Sequence, residues 1–357
     1  MEYAAYTVRG DTVILYRMYG TGPVVFVPDQ IDGRRVEILA DHLFAREMSV
    51  LCDRSQLLLA ENRGSSWTAL QREECAAKSD LLRRLEEEAL CGDRVSSVHI
   101  PEGVRQIGNY AFYGLYRLRE VSFPSSMNRI GWGMFNGCRV TDRIILHLSP
   151  PGKGQTLSRP EEGITPCLMK EVVDALPNEL DVIVKQGDGE LYRLRFPAYY
   201  EEGKENTPAR IIEIIYHGTG HQYRNCFLNR KLQLDLYDEV FPLAAAQESP
   251  LTNVQLILNR LRSGYCVKED IMQRYLEYLR REDRTMMEVI LEDEEFDPVL
   301  TFRMLDEKGF FTAMVLDASI QTASQRKVPA AVSCLMEIRS RRFGGKTGGR
   351  MRTRYEL

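Results

Sequence analysis

The sequence contains no stretch near the roughly 18 consecutive apolar residues that a membrane-crossing helix needs, so it predicts no membrane span. Its opening, MEYAAYTVRGDTVILY, lacks a basic start followed by a long apolar run, and does not read as a secretion signal. No Cys-x-x-Cys pair occurs among the eight cysteines. Scattered thiols without an export signal point to a reducing, cytoplasmic setting, and several sit at apolar positions, where cysteine acts as a small hydrophobe. No serine stands in a nucleophile elbow, and no phosphate-cradling glycine loop runs into a helix. Gly344-Gly-Lys-Thr-Gly-Gly has part of such a loop but not its upstream glycine spacing. The chain thus names no reaction and no cofactor, and the expectation is a protein that is not an enzyme.

Ordinary globular composition remains: 44% hydrophobic and 27% charged residues over 357 positions, room for two or three domains. The net charge of −4 is too near neutral for a chain built to bind a polyanion throughout. It is unevenly spread. Arg339, Arg341, Arg342, Lys346, Arg350, Arg352 and Arg354 form a basic end free of acids, and setting those seven aside takes the rest from −4 to −11.

The most informative feature is a period. Val98-His-Ile100-Pro101 is followed by Val104, Ile107-Gly108, Ala111-Phe112 and Gly114. Twenty-three residues on come Val121-Ser-Phe123-Pro124, Met127, Ile130-Gly131, Met134-Phe135 and Gly137, then Ile144-Ile-Leu146. A disguised first copy runs from Val25-Phe-Val27-Pro28 through Val36, Leu39, Leu43 and Phe44. A fixed interval of this kind predicts stacked units sharing one interior, with Val98, Val121 and Ile144 side by side. Alternation along each strand turns Phe26, His99, Ser122 and Ile145 outward as one column. Between the first two copies lie 45 extra residues, and Ser66–Glu74 and Lys78–Leu90 have helical spacing, with Leu81, Leu82, Leu85 and Leu90 on a stripe. Gly10-Asp11 predicts a hairpin between residues 3–9 and 12–18, a cap for one end of the stack.

Ile100-Pro101, Val104, Ile107-Gly108, Ala111-Phe112 and Gly137-Cys138 resemble the unit of the BspA-like leucine-rich repeats of bacteria. The resemblance covers about residues 10–148 and implies a parallel right-handed solenoid and, in relatives, adhesion or protein binding. Pro150-Pro-Gly-Lys-Gly reads as a linker, and Gln186-Gly-Asp-Gly as a second hairpin turn. From Asn253 the apolar spacing is helical, stopped at Gly264 and Gly309 and capped by Asp297-Pro298. Tyr223-Arg-Asn-Cys-Phe227, Tyr237-Asp238 and Arg260-Leu261 resemble a helical region found beside such repeats in other bacterial proteins. The fold class expected is α+β: a short leucine-rich-repeat β-solenoid, a mixed segment, and a domain of antiparallel helix pairs, itself solenoid-like. The boundaries read are a repeat domain over 1–149 with a helical insert at about 45–95, a linker and mixed α/β segment over 150–250, a helical domain over 251–340, and a basic, glycine-rich, disordered tail over 341–357.

Three groups of site residues follow. Phe26, His99, Ser122 and Ile145 are the favoured contacts for another protein, the partner such a scaffold implies. His217, His221 and nearby Cys226 are the densest potential metal ligands, though two glycines between the histidines argue against helical placement. Tyr216-His217-Gly218-Thr219 also resembles the short strand of ADP-ribosyltransferases of the poly-ADP-ribose polymerase type, which implies a histidine holding a nicotinamide cofactor. The seven basic residues of the tail offer contacts for nucleic acid, a less favoured partner, since Phe343 and Tyr355 alone supply stacking rings.

Overall fold

The computed structural model describes residues 2–49, 52–64, 66–70, 78–148, 166, 168–206 and 211–343. It is an α+β protein of two compact units, Met1–Gln247 with Ser263–Cys266, and Glu248–Arg262 with Val267–Leu357.

The first unit begins with the hairpin β1 (Tyr3–Arg9) and β2 (Thr12–Tyr19), turned at Gly10 with φ +64°. The first coil follows as β3 (Val24–Phe26), β4 (Gln30–Ile31) and β5 (Arg34–Leu39). Next come β6 (Leu58–Asn62), β7 (Trp67–Ala69) and α1 (Lys78–Leu85). The second coil holds β8 (Ser97–His99) and β9 (Gln106–Ile107), the third β10 (Glu120–Pro124) and β11 (Arg129–Ile130), and β12 (Arg143–Leu148) opens a fourth. After α2 (Met169–Asp174) come β13 (Leu180–Gln186), β14 (Gly189–Phe196), β15 (Tyr200–Asn206), β16 (Ile211–His217) and α3 (Gly220–Arg224), then two short helices, α4 (Leu234–Glu239) and α5 (Phe241–Gln247).

The predicted period sets the register. β3, β8, β10 and β12 pair in parallel with Val25, Val98, Val121 and Ile144 in one row, all buried. A second parallel ladder, β5–β9–β11, aligns Leu39 with Ile107 and Ile107 with Ile130. Between the ladders the fillers stack: the Phe44 ring lies 5.7 Å from that of Phe112, and Phe112 lies 5.5 Å from Phe135. Such offset aromatic pairs add to the burial of their area. The coils approach so closely at Gly108 and Gly131 that a Cβ on Gly131 would stand 2.2 Å from the Gly108 carbonyl carbon. Only glycine fits there.

Further strands extend one ladder at each end of the stack. At the first coil, β5 also joins a ring of strands in the order β5–β2–β1–β6–β7–β4, which returns to β5. At the far end of the strand ladder, β13 adds a parallel rung with Val182 beside Ile144, and β14 turns back antiparallel. Three expectations need correcting. The insert over 45–95 is not purely helical: Trp67 and Thr68, an aromatic and a β-branched residue suited to a pleated surface, lie in β7 against β6, which itself pairs with β1. The helix of the insert ends at Leu85, although Leu85 and Leu90 are buried as their stripe implies, and Leu81 and Leu82 pack against a buried cluster that includes Ala5, Tyr19 and Leu59. No boundary between compact units falls at residue 150, because β13 belongs to the sheet of the repeats and the division comes after Gln247.

Arg224 ties the last part of this unit together. Its buried guanidinium donates to the carbonyls of Val173 and Leu176 at 3.1 Å, Pro197 at 2.6 Å, Asn178 at 2.7 Å and Gly220 at 3.1 Å. Burial pulls its pKa down to about 10, which leaves it charged at neutral pH. It stands where the end of α2, the β14 exit and α3 would otherwise leave carbonyls unpaired.

The second unit is helical: α6 (Pro250–Arg262), α7 (Glu269–Arg281), α8 (Asp283–Glu292), α9 (Pro298–Glu307), α10 (Ala313–Gln325) and α11 (Pro329–Phe343). The predicted face Val254, Ile257, Leu258, Leu261 is buried, as is Ile271, Tyr275, Tyr278, Leu279. Asp297 caps α9 by accepting the Leu300 amide at 2.8 Å, with Pro298 in the first turn. Gly309, at φ +77°, follows the helix end. α11 runs to Phe343, so the boundary expected at 341 falls inside a helix.

Three outcomes follow from this packing. Gly131→Ala should lower stability by about 2 kcal/mol, read as a lower denaturation midpoint with an unchanged slope. Arg224→Met should cost about 3 kcal/mol or more because it strands several carbonyls at once, and Arg224→Lys should recover little of it. Burial pushes the Cys138 thiol up to about 12, and its Sγ contacts the Phe112 carbonyl at 3.2 Å. At pH 8 it is therefore protonated, and an alkylating reagent should modify exposed Cys266 promptly and Cys138 only on unfolding.

Candidate protein-binding edge of the repeats

The strand column predicted as the contact surface is one register row: Phe26 lies beside His99, His99 beside Ser122, and Ser122 beside Ile145. It is only half open. Phe26 is 65% exposed and stacks on His99 at 4.6 Å, but Ser122 and Ile145 are buried, at 4% and 8% exposure. The four share one row as alternation predicts, and the expected exposure holds at Phe26 but not at Ser122 and Ile145. The flanking rows are polar and internally paired, with Arg143 on Glu120 at 3.4 Å and Arg195 on Asp181 at 3.0 Å. The carboxylates of Asp181 and Glu179 outweigh burial and hold the Arg195 pKa above its usual value.

A different edge of the same coils carries the exposed rings. Each coil passes from its second strand into a turn before the buried phenylalanine. Two residues before Phe44, Phe112 and Phe135 stand His42, Tyr110 and Gly133, all left-handed, with φ of +62°, +53° and +64°. Side chains rarely accept that conformation, and here the backbone holds it. His42 N–H donates to Asn109 O at 2.9 Å, and Tyr110 N–H to Trp132 O at 3.0 Å. Phe44 N–H donates to Ala111 O at 2.8 Å, and Phe112 N–H to Met134 O at 3.1 Å. Side chains repeat the pattern: Asp41 Oδ1 accepts the Asn109 amide at 2.7 Å, and Asn109 Oδ1 accepts the Trp132 amide at 2.8 Å.

These bonds aim the rings outward. Tyr110 lies 5.2 Å from His42, and edge-to-face with Trp132 at 5.2 Å and Tyr113 at 5.9 Å. Gly133 is what lets Tyr110 lie across the next coil, since a Cβ there would meet its ring at 2.6 Å. Trp132 is 72% exposed, and Tyr113 and Tyr116 are also exposed. Beside them is a cleft of about 750 Å³ lined by His42, Arg46, Tyr110, Tyr113, Tyr116 and Asn136. The sequence pattern does not single out these rings, because the repeated spacing of Ile-Gly and Phe treats intervening positions as spacers. The available signal was two tyrosines and a tryptophan at positions that the shared interior does not need.

The histidine group does not form a metal site. His217 Nε2 meets Glu202 Oε2 at 2.8 Å and its ring stacks on Tyr200 at 4.4 Å. His221 instead stacks on Tyr216 at 3.7 Å. Cys226 is buried, its Sγ contacts the Gln222 carbonyl at 3.3 Å, and burial, with Asp238 and Glu239, pushes its thiol up to about 12. Among the described residues no three histidine, cysteine or acidic side chains converge on a point that could hold a metal ion. The His-Gly-Thr stretch leaves β16, which pairs with β15 in a two-stranded sheet.

The basic end is also partly committed. Arg339 pairs with Asp317 at 2.8 Å, and Arg341 and Arg342 both pair with the buried Asp306. Lys346, Arg350, Arg352 and Arg354 lie outside the described residues. No described helix is long and apolar enough to cross a membrane.

Residues 83–149 match the family model described as BspA type leucine rich repeat region (6 copies). A crystal structure of a leucine rich repeat protein from T. pallidum aligns with 40% of this chain and 71% of that one, at 18% identity and a TM-score of 0.18. A likeness at that score carries no argument. No curated protein matches the sequence. The matched segment contains β8 to β12, with both close-packed glycines and the fillers Phe112 and Phe135, so residues 83–149 of this chain are repeats of the BspA leucine-rich type.

Proposed function

We propose that this chain is a non-enzymatic protein-binding protein whose repeats stack as a short solenoid and meet a partner through the turn edge at Tyr110, Tyr113 and Trp132. Leucine-rich repeats in general serve contact between proteins, because stacked units supply a broad, rigid face. The observation that carries the reading is the cluster of large rings held in open solvent by hydrogen-bonded turns. Exposed aromatic groups of this size are where binding energy concentrates. Phe26 and His99 form a smaller patch on the strand face. The helical unit, read as antiparallel pairs, is a second surface for assembly. On the sequence alone, the scatter of the thiols is the basis for proposing a reducing, cytoplasmic location.

The test uses a photo-crosslinking side chain at position 132 of the full chain in its source cells. A discrete adduct with another protein is expected, lost on Tyr110→Ser with Tyr113→Ser. Tyr113 is exposed and Tyr110 half-buried, so the two changes together should cost no more than about 1 kcal/mol, checked by the denaturation midpoint. An adduct unchanged by the double substitution overturns the assignment of the edge.

A further inference from the structure

The cleft beside the turn edge does not end at Tyr116. A second cleft of about 730 Å³ shares Tyr113 and Tyr116 with it, and a third of about 340 Å³ shares Tyr116 and reaches Arg94, Arg117 and Arg119. The three form one course across the edge of the coils. Its middle is lined by Tyr113 and Tyr116, with Arg17, Arg46 and Arg94 set among Glu86, Glu87 and Asp93, so its charge is balanced there. Its far end is positive: Arg94, Arg117 and Arg119 line it with Asp93 as the one carboxylate. Arg119 pairs with Asp142 at 3.2 Å. Among the described residues, Arg94 and Arg117 make no ion pair, and neither does Arg46 midway along the course.

This arrangement favours an extended occupant over a globular one. A chain lying along ring faces needs flat apolar groups to set against them. Its backbone must find partners among donors, which Tyr113, Tyr116, Asn136 and the arginines supply. A proline-containing segment in the polyproline conformation has both properties: rings that pack flat on aromatics, and carbonyls unaccompanied by many amide protons. It also enters preformed, so little conformational freedom is lost on binding. The unpaired guanidiniums at one end call for carboxylates on that part of the occupant.

We propose that the turn edge of the repeats binds an extended, proline-containing segment of a partner protein, oriented by acidic residues set against Arg94 and Arg117. The proposal rests on the protein-binding reading above and narrows it to a partner class.

Trp67 and Trp132 are the two tryptophans of the chain, so Trp67→Phe in the full protein leaves Trp132 as the only indole reporter. The probes are a short oligoproline ending in glutamates, the same peptide ending in lysines, and a glycine–serine peptide ending in glutamates. The first should shift Trp132 emission saturably, at an affinity about tenfold above either of the others. Arg94→Glu with Arg117→Glu should invert the preference between glutamate and lysine ends. An equal response to the lysine peptide, an equal response to the glycine–serine peptide, or no response to any of them overturns the proposal. If the peptides fail while the crosslink at position 132 persists, protein binding stands and this partner class falls. If both fail, the protein-binding reading falls with it.

Discussion

The backbone-to-backbone approach of successive coils governs this unit. With Gly108 and Gly131 where any Cβ would strike the neighbouring chain, the turns come near enough to hydrogen-bond directly to one another. Those bonds satisfy amides that an irregular segment would otherwise leave unpaired beside a dry interior. They also fix where each turn points its side chains. The buried Phe44–Phe112–Phe135 stack and the outward His42–Tyr110–Trp132 group, half-buried at His42 and Tyr110 and open at Trp132, are thus two consequences of one contact, since residues close together on the same turns go in opposite directions.

Capping follows from the same geometry. A parallel ladder leaves unpaired backbone at both ends, and a short stack has little interior with which to offset it. Here the first coil lends β5 to a closed ring of strands, and the strand ladder ends in the β13–β14 hairpin. Arg224 completes the far end by gathering carbonyls from α2, the β14 exit and α3 around one charge. A guanidinium suits that place because its donors are fixed in a plane and fan outward, whereas an ammonium presents a compact point charge.

What could be read from the residues was whatever a local pattern determines. The interval between Val98, Val121 and Ile144 specified their pairing, Gly10 marked a turn, and Asp297-Pro298 marked a helix start, each because the chemistry acts within a few residues or repeats exactly. What escaped depended on distant partners. Gln186-Gly187 identified a hairpin, but nothing local could show that β13 would join the sheet of the repeats. Trp67 and Thr68 suit a strand, yet they sit in a stretch whose apolar spacing also fits a helix, and the strand is decided by pairing with β6. Alternation put Ser122 and Ile145 on the outer face, but a face can be covered, and period alone carries no information about that. The basic end misled for a related reason: a run of arginines looks available until Asp306 and Asp317, more than twenty residues upstream, prove to be the partners of three of them.

The left-handed turn positions bear most directly on function. If turn geometry alone were being met, glycine would serve at all three, as Gly133 does in the third coil. His42 and Tyr110 accept a conformation that costs a side chain about 1 kcal/mol, and the rings they place contribute little to the interior, since the fillers already occupy it. What the strained positions gain is contact among the rings themselves, His42 on Tyr110 and Tyr110 on Trp132 and Tyr113, on the outside of the coils. Trp132 carries no such strain, but its backbone is anchored twice, by its amide to Asn109 Oδ1 and by its carbonyl to the Tyr110 amide, while its indole stands in solvent. A flexible turn would let such rings fold back on the surface and hide their apolar area. Rigid turns deny them that, so the area stays exposed until another molecule covers it.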